Sequence, residues 1–400
     1  MAVLFLQGPL GPFFSRMVQR LTDEGIRAHK INFNGGDAWY SRDIDSVSYR
    51  GTIEAWPAYL EDFIRRENIS DIFVYGDCRV YHRLAKEVAR RSNIRFYAFE
   101  EGYIRPNHLT MELNGVNGYS SITRRQIEAW ESVERLPETK VGNHLWNRVR
   151  FAMSYYIAGN AVAWRYPHYR HHRSFYAVYE AFCWVRAAVR HYRFRASEQY
   201  LLPELLKEHD GRYFLFPLQV ANDAQIFFHS PYNSISDCIR EVVASFARVA
   251  DPRDRLVIKH HPMDRGHTLY QELIDELVQQ HDLKGRLVYC HDQHLPTLLE
   301  HCKGVVTINS TTAISAFFHK APVKVLGTAF YDIGGLCNQK SLEEFWLDQE
   351  PVDYDLFLRF RNFLDAHGQI NGSFYKIIDF TVDQVVRQLK TQGALQLPEG

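Results

Sequence analysis

Four hundred residues with 46% hydrophobic content are enough for two ordinary cores, since single domains run to roughly 100–200 residues. Formal net charge is zero with 24% charged residues, which excludes a tail-like or wholly basic nucleic-acid binder. Six cysteines without a CxxC pair suggest neither a zinc ribbon nor a disulfide framework and fit a reducing cytosol, and no uncharged run approaches the roughly 18–20 residues of a membrane span.

The apolar run at residues 3–6, with no basic stretch before it, reads as a first strand rather than a signal peptide. Gly8-Pro9-Leu10-Gly11-Pro12 breaks it ahead of an amphipathic segment at 13–24. That loop has neither Gly-x-Gly-x-x-Gly nor Gly-Lys-Ser/Thr, so it is neither a dinucleotide fingerprint nor a Walker loop. A second strand at 28–33 ends in Asn34-Gly35-Gly36-Asp37, a helical stretch covers 52–66, a third strand at 71–75 ends in Gly76-Asp77, and a helix covers 80–91. The next strand, Phe96-Tyr97-Ala98-Phe99, delivers Glu100 and Glu101 into a turn at Gly102, with Arg105-Pro106 close behind. Strands alternating with helices imply parallel βαβ units, whose ligands lie beyond the carboxyl ends of the strands. Asn34, Asp37 and Asp77 then share a rim with the acidic pair, where a substrate could be held and a carboxylate could act as acid or base.

Over residues 141–197 the composition changes to nine arginines, no lysine, five histidines and one acid, Glu180, interleaved with Trp146, Trp164 and Trp184. Cations on one side and rings on the other describe a helix at a lipid interface, with Trp184, Arg186, Arg190 and Arg193 as its contacts. Two core-packed helices with an arginine-rich solvent face would read the same way. No nucleic-acid module pattern accompanies these residues, so no nucleic-acid partner is expected. His168, His171 and His172 have the spacing of metal ligands, but Pro167 breaks the helix and no carboxylate or thiol is near to complete a shell, so no metal site is expected.

The second half repeats the alternation, with strands at 213–217, 255–259, 287–290, 304–308 and 322–326 and helices at 235–250, 268–280, 294–301 and 313–319. This predicts a second doubly wound domain. The boundaries expected are 1–121 for the first Rossmann-like domain, 122–205 for the helical basic and aromatic segment, 206–345 for the second Rossmann-like domain, and 346–400 for helices bracing the first. Three strand ends here carry polar signatures. Ser310, Thr311 and Thr312 open a helix, where they can cap or meet an anion. His261 is pinned by Pro262 and could neutralise a leaving phosphate. Asp223 follows Asn222 in a turn, where carboxylates most often bond their own backbone.

Taken in order, Glu100-Glu101-Gly102 with Arg105, Gln219-x-x-Asn222-Asp223, Lys259-His260-His261-Pro262, and Ser310 ahead of Ala321-Pro322-Val323 resemble the capsule polysaccharide β-Kdo transferases of the KpsS/LipB type, related to KpsC. The head, residues 5–14, and the stretch from Lys30 to Asp37 are similar to the KpsS branch in particular. The resemblance implies an α/β, GT-B-like enzyme of two Rossmann-like domains facing a cleft, without metal or cofactor. It implies transfer of Kdo from CMP-Kdo, with retention, to a (lyso)phosphatidylglycerol acceptor that starts the poly-Kdo linker of a capsule. The location implied is cytoplasmic and peripheral, on the inner face of the inner membrane, with capsule assembly or export proteins as partners. Residue by residue, it implies Asp223 as nucleophile and Glu101, or in its place Glu100, as the group handling the acceptor proton. His261 would face the donor phosphate and Ser310 hold it, with Thr311, Thr312, Gln219 and Asn222 beside them and Arg105 or Lys259 on the donor carboxylate. This chain has Glu-Glu where KpsC modules carry Glu-Asp, and Ala313 where they have glycine. Two other readings stay open: an inverting transferase of CMP-sialic acid or another nucleotide sugar, and a non-enzymatic subunit of capsule export.

Overall fold

The structure, a computed structural model, describes residues 2–134, 137–171 and 176–393. The apolar runs become strands in two sheets. In chain order they are β1 (Ala2–Phe5), β2 (Arg27–Asn32), β3 (Ser46–Ser48), β4 (Ile69–Tyr75), β5 (Arg95–Glu101), β6 (His108–Leu113), β7 (Tyr213–Pro217), β8 (Arg255–Lys259), β9 (Leu287–Cys290), β10 (Gly304–Thr307), β11 (Val323–Val325) and β12 (Gln369–Asn371). The sheets run β12-β6-β5-β4-β1-β2-β3 and β11-β10-β7-β8-β9. Among the described residues the strands pair in parallel except at one edge, where β6 is antiparallel to both β5 and β12.

Alternation along the first sheet's strands sorts side chains to its two faces. Val3, Phe5, Phe73, Tyr97 and Phe99 pack against the helices Phe13–Asp23 and Ile378–Thr391. Leu4, Leu6, Ile72, Val74, Phe96 and Ala98 pack against Trp56–Glu67 and Val80–Arg91. With helices on both faces and a mostly parallel sheet, this unit is doubly wound, as the alternation predicts. In the second sheet Phe214, Phe216, Leu256, Ile258 and Val306 share a core with the helix Ile235–Val249. These are the two Rossmann-like units that the alternation predicts.

The first unit gathers Met1–Ser121, Glu134–Val178 and Asn362–Gly400, and the second Ile122–Val133 and Tyr179–Arg361. The basic and aromatic stretch therefore divides, its 134–178 part packing with the first unit and its part from 179 onward with the second. Likewise, the return to the first unit begins at Asn362.

Two local features differ from the sequence reading. Glu100 and Glu101 lie on β5 itself, opposite Thr110 and Leu109 of β6, and not in a turn. Asn34-Gly35-Gly36-Asp37, read as the end of a strand, opens a short helix, Gly35–Tyr40, whose N–H groups at Gly36 and Asp37 donate to the Asn34 side chain. The glycines there make room for a second helix, Leu145–Ala161. A Cβ on Gly35 would meet Val162 Cγ2 at 2.3 Å and the Ala158 carbonyl oxygen at 2.6 Å, and one on Gly36 would meet the Tyr155 ring at 2.6 Å. Gly35→Ala is accordingly expected to destabilise the protein by about 1–3 kcal/mol through overpacking, seen as a lowered midpoint in urea unfolding.

Candidate active site

In the first sheet the strand order reverses at β1 and β4, the switch point where open α/β sheets hold ligands. Gln7 follows β1, and Arg79 follows β4 and donates to Gln7 Oε1 at 2.9 Å. Gln7 Nε2 in turn donates to the hydroxyls of Tyr155 and Tyr169, each at 2.9 Å. The Tyr155 hydroxyl also accepts from Asn34 Nδ2 at 2.7 Å and donates to Asp37 Oδ1 at 3.1 Å. Asp37 Oδ2 accepts from the Phe33 amide at 3.0 Å.

This network corrects one expectation. Asn34 and Asp37, expected to face an acceptor, are 1% and 5% exposed, closed beneath Tyr155, with their polar atoms taken up in capping the Gly35–Tyr40 helix, in the Phe33 amide, in each other and in the Tyr155 hydroxyl. Asp77 is buried as well and accepts from the Val116 amide at 3.0 Å, tying down the turn after β6.

The acidic pair at the end of β5 is more open. Glu100 Oε1 accepts from the Glu101 amide at 3.0 Å. Burial, with Glu101 and Asp77 nearby, pushes the Glu100 carboxyl up to about 7 even though Arg79 opposes the shift. Glu101 has different company. Its Oε1 accepts from the Tyr375 hydroxyl at 3.1 Å and lies 3.8 Å from the Arg148 guanidinium, which also covers the Tyr375 ring at 5.3 Å. Two neighbouring carboxyls in unlike surroundings are the usual arrangement for moving a proton near neutral pH. Arg105, expected to serve a donor carboxylate, is exposed and donates to the Gly102 carbonyl at 3.2 Å. The cations beside the pair are Arg79 and Arg148. Sequence reasoning missed Arg148, Tyr375 and Gln7. The only trace of the first was the arginine-rich stretch it belongs to.

The second sheet reverses order at β7 and β10. Gln219, just past β7, bridges the two: its Nε2 donates to Asn309 Oδ1 at 3.0 Å and its Oε1 accepts from the Asn309 amide at 3.2 Å. The same Nε2 reaches Asp223 Oδ2 at 3.1 Å, while Asp223 Oδ1 caps the Ala224–His229 helix by accepting from the Gln225 amide at 3.0 Å. His261 Nδ1 accepts from the Met263 amide at 3.1 Å, which leaves the ring proton on Nε2 in the neutral imidazole. The Ala221 amide donates to Asp264 Oδ2 at 3.2 Å, so the Asp223 loop and the His261 turn are held to each other. Ser310 Oγ accepts from the Thr312 amide at 3.2 Å and donates to Thr312 Oγ1 at 3.0 Å, forming the turn that enters the Thr312–Phe318 helix. Thr311 is half-buried at the same turn, and Asn222 is exposed.

Lys259, the other candidate for a donor carboxylate, is buried, and its ammonium donates to the His291 carbonyl at 3.1 Å. Burial also lowers its pKa, so this group is spoken for inside the sheet. Arg186 and Arg190, expected at a lipid surface, donate to the carbonyls of Gly266 at 2.6 Å and Arg265 at 2.8 Å and so fasten their own helix, Ala177–Ser197. Arg193 and Trp184 of that helix are exposed. His171 Nδ1 pairs with the Tyr169 hydroxyl at 2.6 Å, His168 accepts from Tyr81 through its carbonyl, and His172 lies outside the described residues. Among the described residues no group of three or more His, Cys, Asp or Glu could hold a metal ion.

A carboxyl raised from 4.5 to about 7 binds its proton more tightly in the folded chain, so its contribution favours folding at acid pH and is lost as pH rises through that interval. The stability of the wild type relative to Glu100→Gln is therefore expected to fall by about 1–3 kcal/mol between about pH 5 and about pH 8 in urea unfolding. Glu112, also pushed up to about 7 by burial, acts in the same direction in both proteins and cancels in the difference.

A model of the family described as capsule polysaccharide biosynthesis protein matches residues 70–375. The capsule polysaccharide export protein KpsS of Escherichia coli is 45% identical over 375 residues, covering 93% of this chain and 96% of that protein. The capsule polysaccharide modification protein LipB of Neisseria meningitidis serogroup A is 37% identical over 387 residues, covering 94% and 92%. Among solved structures, the β-Kdo 2,7 transferase of Thermosulfurimonas dismutans KpsC is similar at 15% identity and a TM-score of 0.39, covering 90% of this chain and 99% of that one.

Proposed function

Because this chain belongs to the capsule polysaccharide biosynthesis family, its chemistry is to be sought in capsule assembly, and we propose that it is a metal-independent, retaining β-Kdo transferase. It moves Kdo from CMP-Kdo to a (lyso)phosphatidylglycerol acceptor and so starts a poly-Kdo linker, working on the inner face of the inner membrane. The contrast between two kinds of carboxyl carries this reading. Glu100 holds its proton up to about pH 7 beside Glu101, whereas Asp223 has both oxygens accepting hydrogen bonds from amides.

Retention at the anomeric carbon follows from two displacements. Asp223 attacks that carbon as its bond to the CMP phosphate breaks, and the departing charge is met by the Nε2 proton of His261 and the hydroxyls at Ser310 and Thr312. The acceptor hydroxyl then attacks the sugar from the face CMP left. Its proton passes to solvent, and the Asp223 carboxylate is released.

Asp223→Asn tests the nucleophile cleanly, because asparagine caps a helix about as well as aspartate while being unable to form the ester. With CMP-Kdo and a fluorescent phosphatidylglycerol analogue, the wild type is expected to give a lipid product heavier by Kdo, with free CMP. The variant is expected to lose about a thousandfold or more in turnover while keeping its thermal midpoint. Wild-type turnover in Asp223→Asn would remove the nucleophile assignment, and an inverted product would remove retention. The description of the Escherichia coli relative as a capsule polysaccharide export protein favours a second reading, a non-enzymatic role in capsule export. In that case no CMP is released from any CMP-sugar, and binding to capsule export proteins is indifferent to Asp223→Asn.

A further inference from the structure

The Leu145–Ala161 helix is apolar on two sides. Its inner side carries Arg148, Phe151, Tyr155 and Gly159 toward the first sheet's polar network. Its outer side shows Trp146 at 84% exposure, Met153 at 59% and Ile157 at 61%, with Trp164 at 78% just beyond its end. Residues 146, 150, 153 and 157 follow a spacing of three and four and so form one stripe, with exposed Arg150 among the apolar side chains. Residues 141–171 also contain Arg148, Arg165 and Arg170 and no Asp or Glu. A protein partner of ordinary surface would meet both signs of charge. A stripe of rings and aliphatic side chains on a segment that carries arginines and no carboxylate matches the interface of an anionic bilayer, where indoles sit at headgroup level and arginines meet phosphates.

The inner side gives that contact a second consequence. Arg148 lies 3.8 Å from Glu101, and Tyr155 bonds through Gln7 to Arg79, whose charge acts on Glu100. One helix thus reaches Glu101 directly through Arg148, reaches Glu100 through Gln7 and Arg79, and carries the exposed stripe. We infer that this helix rests its outer stripe on an anionic lipid surface and that Arg148 is a positioning residue through which that contact orders the acidic pair. The inference deepens the proposed reaction, since a lipid acceptor would be presented where the pair is ordered, but the binding and the ordering can be measured without any transfer.

The test uses the full chain with vesicles of phosphatidylcholine, alone or mixed with phosphatidylglycerol. The wild type is expected to sediment with the mixed vesicles and not with phosphatidylcholine alone. The triple variant Trp146→Ser, Met153→Ser, Ile157→Ser is expected to bind at least about tenfold more weakly, at an unchanged thermal midpoint. Trp146→Ser alone, at the most exposed position, keeps the test open should the triple variant lose its fold. Hydrogen exchange at residues 97–103 is expected to slow when the wild type sits on mixed vesicles. Arg148→Gln is expected to bind within about twofold of wild type yet show no such slowing. Wild-type sedimentation by both serine variants, equal binding to the two kinds of vesicle, or exchange at 97–103 that ignores vesicles in the wild type would each overturn the inference. A chain that binds and orders as described but adds no sugar to lipid would sink the transferase reading and leave this one standing.

Discussion

The Tyr155 hydroxyl is the point on which the first unit turns. It sits in a buried pocket where it accepts from Asn34 and Gln7 and donates to Asp37, joining residues that are more than a hundred positions away in sequence. Each bond adds only about 1 kcal/mol net, but leaving any one of these groups buried without its partner costs about 1–3 kcal/mol. The network is therefore stable as a whole and intolerant of partial loss. It fixes the register of the Leu145–Ala161 helix against the sheet, and that register decides where Arg148 falls relative to Glu101.

The second unit solves the same problem with the same residue type. In each sheet a glutamine stands two positions beyond a central strand, Gln7 after Phe5 of β1 and Gln219 after Pro217 of β7, at the place where the strand order reverses. A primary amide suits the position because it offers donors and an acceptor at once. Gln7 spans from Arg79 to two tyrosines, and Gln219 spans from Asn309 to Asp223. Each holds a loop of one crossover to the strand end of another, without a charge that would have to be neutralised.

Much of this architecture was legible in the chain. The β7, β8 and β9 strands and the Val80–Arg91 helix fall where hydrophobic runs and periodicity put them. These elements are specified locally. The antiparallel edge was not legible, because β6 pairs with β12 across an interval that no local pattern spans, Thr110 lying opposite Gln369. The Gly35–Tyr40 helix was hidden by turn-like composition and depends on the Asn34 cap. For the candidate site, strand-end logic found Glu100, Glu101, Gln219 and Asp223, all of which lie at carboxyl ends of strands or directly after them. It could not tell an open rim residue from one closed over by a distant helix, which is why Asn34 and Asp37 looked available. Nor could it single out Arg148 from a stretch whose arginines were read by composition, when direction along the helix is what separates Arg148 from Arg150.

The late return of the chain to its first sheet has a consequence for biogenesis. Gln369 accepts from the amides of Tyr103 and Ile104 at 2.8 and 3.2 Å, so the bend after the acidic pair is fastened by a residue synthesised 266 positions after the first of them. Emerging from the ribosome, the nascent polypeptide can complete the β7 to β11 sheet while the earlier half still lacks an edge strand and the tyrosine that meets Glu101. A ribosome that stalls after the second sheet would thus release a chain with an uncovered β6 edge and no Tyr375. Quality control has a natural handle there, since an open strand edge is what chaperones and aggregates both recognise.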